Sequence, residues 1–159
     1  MDFRISGLPC APFIPLFSMT DAQLQTLGAR RVVATADFTP SMPPCRVSLR
    51  DAEPGEASIL LHYTHLDVPA SPYRAGGPIY VREGVNETAS FVNHVPAQQR
   101  TRLLSVRAYD HDGMMVDAEV ADGTELEPLI GRFFGRADVA FLHAHNARRG
   151  CYSCRIDRV

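Results

Sequence analysis

The chain contains no lysine: all 16 of its basic residues are arginine. Against 18 acidic residues this leaves a net charge of −2 and a pI of about 6.3. That balance excludes a basic footprint for nucleic acid. The aromatic residues are not interleaved with arginine in a base-stacking pattern either. Long apolar runs are also missing, and none approaches the ~20 residues needed to span a bilayer. Met1-Asp2-Phe3-Arg4-Ile5-Ser6 lacks the basic region and apolar run of a secretory signal. These absences predict a cytoplasmic, reducing location, with Cys10, Cys45, Cys151 and Cys154 as free thiols. They leave a small molecule as the expected partner, with neither nucleic acid nor membrane, and say nothing of oligomeric state. No internal repeat, low-complexity run, phosphate loop or nucleophile elbow is found.

What is present is enough for one core. A length of 159 residues, 45% hydrophobic and 21% charged, is that of a single soluble domain spanning 1–159. Prolines 9, 12, 15, 40, 43 and 44 break up the first 45 residues, and 1–19 reads as an extended, proline-rich segment. A short helix is predicted over 21–27, with Thr20 and Gln23 as a capping box and Gly28 as its stop. Residues 30–36 follow as a strand. Arg46–Arg50 alternates as a pairing strand does, with a short helix as the alternative. Glu53-Pro54-Gly55-Glu56 places Pro and Gly as a type II turn requires, ahead of a central strand over 57–63. Residues 72–78 read as a rigid loop feeding a strand over 79–82.

The clearest hairpin joins 102–110 to 114–121. A three-residue loop, His111-Asp112-Gly113, sets Val106 against Ala118 and Arg107 against Asp117, keeping each face consistent. A two-residue loop would set Val106 against Glu119 and bury a charge. Leu126, Leu129, Ile130, Phe133 and Phe134 have helical spacing, with Thr124 and Glu127 as a capping box and Gly135 as the stop. A final hairpin pairs 138–146 with 150–158. The order predicts an α+β fold with a largely antiparallel sheet and two or three short helices packed on one face.

Chemistry concentrates in the tail, where His143, His145, Cys151 and Cys154 fall within twelve residues. On a strand His143 and His145 share a face, whereas Cys151 and Cys154, three apart, do not. The spacing therefore suits an open three-ligand zinc site at His143, His145 and Cys151 better than a closed one. A fourth ligand would come from His62, His65 or Asp51. The rival reading is a histidine pair on a wet or ligand-lined face. A second set, Arg46, Tyr73, Arg74, Tyr80 and Arg107 with His143 and His145, suits a small anionic or polar ligand in a cleft. Asp51 and His143 are the candidate catalytic pair if the protein is an enzyme. The ligand-binding reading needs no cofactor; zinc enters only with the metal reading.

Several segments together carry a resemblance. They are Cys45-Arg46 with Asp51-Ala52 and Gly55-Glu56, then Pro72-Tyr73-Arg74 with Gly77-Pro78-Ile79-Tyr80-Val81. Arg107-Ala108-Tyr109-Asp110 and the ending Asn146-Ala147, Gly150-Cys151-Tyr152, Arg155 and Arg158 complete them. The chain resembles, over roughly 20–159, a mainly bacterial family catalogued as domain of unknown function number twelve hundred and three. The resemblance implies a small stand-alone bacterial protein and brings no activity, cofactor or catalytic residue. Cys151 matches the family pattern and Cys154 departs from it. Arg82 stands where many members have a histidine, which weakens a histidine-based metal role for that loop.

Overall fold

Phe3 and Ile5 alternate with Arg4 and Ser6, and that short apolar rhythm draws the first residues into the main sheet. In the computed structural model, which describes residues 2–38 and 41–159, β1 (Phe3–Ser6) lies between two antiparallel partners. These are β5 (Ser90–Val92) and β9 (Tyr152–Arg158). β1 lies within the proline-rich N-terminal segment and brings Phe3 and Ile5 into the core. Beyond β9 the sheet continues through β8 (Phe141–Asn146), β6 (Leu103–Tyr109) and β7 (Met115–Asp122), giving the order β5-β1-β9-β8-β6-β7. A second sheet is formed by β2 (Arg30–Val33), β3 (Ala57–Leu66) and β4 (Ala75–Arg82), with β3 central. All strand pairs are antiparallel, so the α+β expectation holds at that level, with two sheets in place of one.

The helices are short and do not share one face. α1 (Asp21–Thr26) packs Leu24 on Ile59 of the smaller sheet, and its capping box forms as predicted. Gly28 takes a left-handed φ of 70° just past its end. α2 (Ala97–Arg100) is a single turn. α3 (Leu126–Phe134) lies on the six-stranded sheet, its Leu126, Leu129, Ile130, Phe133 and Phe134 all buried against β1, β6, β8 and β9 residues. The Thr124–Glu127 box does not form, because the helix begins one residue later, after Glu125. Pro128 then sits in the first turn, where its missing N–H would have had no partner.

Three local expectations change. Residues 46–49 form a tight turn, with Leu49 N–H bonded to Cys45 O and Leu49 at a φ of 52°, in place of a strand or helix. β4 begins at Ala75, so Gly76, Gly77 and Pro78 pair with β3 and are not loop. The 103–122 hairpin does turn through His111-Asp112-Gly113, closed by Asp110 N–H to Met114 O at 3.0 Å, with Gly113 at a φ of 73°. Its register is nevertheless shifted: Arg107 faces Ala118, and Val106 faces Glu119. The cause is a bulge at Val116, which lies between the Ala108–Asp117 and Tyr109–Met115 pairs. The charge this brings to the α3 side is not buried, because β7 is an edge strand. Glu119 accepts from Arg132 of α3 at 3.3 Å, and Asp117 from Arg136 at 2.8 Å.

A close backbone crossing holds the 46–49 turn against β1. Gly7 N–H donates to Ala89 O, Leu8 N–H to Arg46 O, and a Cβ at Gly7 would lie 2.0 Å from Val47 O. Gly7→Ala is therefore expected to cost about 1–3 kcal/mol or more, since backbone must move. Urea denaturation reads this directly, and a loss under about 0.5 kcal/mol would show that the crossing is loose.

Candidate functional site

β3 runs three residues further than its apolar core suggests, to Leu66, and this extension carries His65 over the six-stranded sheet. There it meets His143 and His145, which share one face of β8 as strand alternation requires. One ring nitrogen from each of His65, His143 and His145 lies within 4.8 Å of the others. The ring of Tyr152 closes the cluster, stacked on His65 at 5.1 Å and 14° and edge-on to His143 at 5.1 Å. Tyr152 reaches this face through a second bulge. His145 pairs with Tyr152 while Ala144 pairs with Cys154, so Ser153 is the extra residue. Phe141 and Tyr109 complete the aromatic surround, each within 5.4 Å of the His143 ring centroid.

The polar bookkeeping here is incomplete. His143 and His145 are 1% exposed, and both nitrogens of His65, Nδ1 of His143 and Nε2 of His145 are buried without a hydrogen-bond partner. Each such group costs about 1–3 kcal/mol if nothing fills it. His145 Nδ1 lies 3.0 Å from Gly150 O, a contact that places the proton on Nδ1 and leaves the Nε2 lone pair free. Burial pushes the histidines down, His65 to about 4, His143 to about 2 and His145 to about 4. Arg107, opposite His143 on β6, adds repulsion at all three, and Arg155 adds it at His143. All three rings are therefore neutral near pH 7, the form that ligates metal.

The residues singled out in the sequence scatter around this cluster. Arg46 is 1% exposed; it donates to Gln98 Oε1 and Cys151 Sγ, both at 3.4 Å, and contributes repulsion at His145. Arg107 faces the histidines. Tyr80 alternates with Ile79 and Val81, which face the inter-sheet core, so its side chain points to the other side of β4. Arg74 is on the surface, donating to Asp67 at 2.8 Å, and Tyr73 beside it is 39% exposed. Asp51 is not joined to His143 as an acid/base pair; Arg102 holds both its oxygens, at 2.8 and 2.9 Å.

Cys151 is not the third member of the histidine group. Its sulfur accepts from Arg46 and from Asn146 Nδ2 at 3.4 Å, and the third member is His65. Cys154 lies in the core, its thiol pushed up to about 12 by burial. All four cysteines are free thiols. His65 enters the sequence reading only as one of three candidates for a fourth ligand. His65 is the extra residue of a bulge in β3, between the Thr64–Gly76 and Leu66–Ala75 pairs, so strand alternation alone does not place it.

No helix among the described residues is long and apolar enough to cross a membrane. No curated protein and no solved structure matches the chain. A family model described as "Protein of unknown function (DUF1203)" matches residues 42–158, which include His65, His143, His145, Tyr152 and Arg107. The chain belongs to the DUF1203 family.

Proposed function

We propose that this protein binds a divalent transition-metal ion, zinc in the first place, through His65, His143 and His145. The observation that carries the reading is the convergence of three neutral imidazoles, each with at least one buried nitrogen that has no hydrogen-bond partner. Imidazole suits zinc, and three protein ligands leave a position open for water or a substrate oxygen. Zinc–nitrogen distances of about 2.0–2.1 Å require the three rings, whose nitrogens lie within 4.8 Å of one another, to close in around the ion. Tyr152 and Phe141 supply the apolar wall that holds the rings in place. Arg107 opposes a bare cation, and an anionic oxygen on the open position would relieve that repulsion. The second reading, a small anionic or polar ligand bound without metal, has the same arginine in its favour.

Cobalt(II) and zinc titrations of metal-free protein test this. One ion per chain is expected, with tetrahedral cobalt absorption in the visible. His143→Ala and His65→Ala should each weaken binding by about 100-fold, near 3 kcal/mol, while the exposed His111→Ala should not. Saturating zinc at about 100 Kd should add roughly 2.7 kcal/mol of stability. A wild-type protein that takes up no cobalt or zinc overturns the metal reading. So does undiminished binding in His143→Ala.

A further inference from the structure

On the far side of Asn146 from the histidines, the turn joining β8 to β9 borders a cavity of about 480 Å³. None of the residues from the sequence-derived cleft lines it. Its walls carry four arginines, Arg100, Arg102, Arg148 and Arg149, against a single carboxylate, Asp122. The volume falls within the range of small-molecule pockets, roughly 300–1,000 Å³. Guanidinium groups are the side chains best matched to phosphate and carboxylate oxygens.

Two of the four are paired with carboxylates outside the cavity lining. Arg102 is held by Asp51 through Nη2 and by the Gln98 carbonyl through Nη1 at 2.6 Å. Arg100 donates to Glu127 at 2.9 Å through one nitrogen only. Arg148, exposed on the turn, enters none of the ion pairs found among the described residues. Gly123 N–H donates to Arg102 O at 2.8 Å, and a Cβ on Gly123 would lie 1.9 Å from Gln99 O. A cation outside these ion pairs in the lining of a cavity draws an anion to it.

Asp122 narrows the class of ligand. A carboxylate in the lining repels a bare dianion but accepts a hydrogen bond from a hydroxyl, and the Thr124 hydroxyl in the same lining can donate or accept one. The geometry points to a small phosphate monoester that also carries hydroxyl groups. Its phosphate would sit at the arginines and its hydroxyls at Asp122 and Thr124. This inference does not rest on the metal reading, and its test is run with and without zinc.

Calorimetric titration with glucose 6-phosphate, glycerol 3-phosphate and a nucleoside monophosphate, beside inorganic phosphate and glucose, decides it. At least one monoester is expected to bind saturably, about tenfold or more tighter than inorganic phosphate, with no binding of glucose. Higher salt should weaken it. Arg148→Gln, on an exposed turn, should keep its melting temperature and lose about tenfold in affinity. Asp122→Asn should erode the preference for the monoester over inorganic phosphate. Absence of saturable binding by all three monoesters overturns the inference, as does unchanged affinity in Arg148→Gln. Equal binding of inorganic phosphate and the monoesters removes the hydroxyl-bearing ligand.

Discussion

Truncating Phe133 to alanine is expected to lower the unfolding free energy by about 3–5 kcal/mol. The ring is 1% exposed and belongs to the cluster in which α3 meets Ile5, Leu104, Val106, Leu142 and Ile156. The cavity left behind cannot collapse easily. α3 is anchored at its far end by Arg158 of β9, which donates to Phe134 O and Arg136 O, both at 2.6 Å, and lies over the Phe134 ring. An anchored helix does not sink into a void, so the cost should fall at the upper end of the range. Phe133→Leu, which removes less volume, should cost less. Urea denaturation with an unchanged m-value is the measurement. A loss of under about 0.5 kcal/mol would mean that α3 is not a packed layer of this fold.

Acidification from pH 7.5 to 5.5 is expected to destabilise the metal-free protein through the histidine cluster. The folded-state values, about 4, 2 and 4, lie below the ordinary value of 6.5. Between those values the unfolded chain binds protons that the folded chain refuses. Stability is therefore complete above pH 6.5 and falls as the pH drops toward 4. Over this interval the loss is about 1.4 kcal/mol for each of His143 and His145. It is smaller for His65, which is only half-buried and partly screened by solvent. The acids held below their ordinary values, Asp37 and Asp138, titrate beneath this window and do not blur it. Denaturation curves in chelator at pH 7.5, 6.5 and 5.5 give the slope. A His143→Gln/His145→Gln protein should lose most of it, and a wild-type stability that is flat across the window would show that the rings are solvated.

The two predictions probe opposite faces of the six-stranded sheet, and those faces were unequally legible in the sequence. Several local signals hold, although the Thr124–Glu127 box and the 46–50 element do not. Thr20 and Gln23 cap α1 because both groups are three residues apart on one turn. Glu53-Pro54-Gly55-Glu56 turns as expected, with Gly55 at a φ of 91°. The helical spacing of Leu126 to Phe134 names the buried face of α3, and alternation alone puts His143 and His145 side by side on β8.

Tertiary structure decided what depends on one extra residue or on a distant segment. The bulges at Val116 and Ser153 carry no distinct composition, yet each shifts the pairing by one residue. The first moves Arg107 away from Asp117; the second turns Tyr152 toward the histidines and Cys154 toward the core. The four residues of β1 form a strand only because β5 and β9 supply the hydrogen bonds. Asp51 was taken by Arg102, 51 residues away, and Cys151 by Arg46, 105 residues away. His65 joined His143 and His145 because two sheets pack face to face, a contact between positions that no spacing along the chain encodes. The sequence by itself thus determined α1, α3 and most of the strands but not β1, β5 or α2, together with the buried face of α3 and two of the three histidines. The third histidine and the arginine-lined cavity arose only from long-range packing, where burial and backbone pairing outweigh local preference.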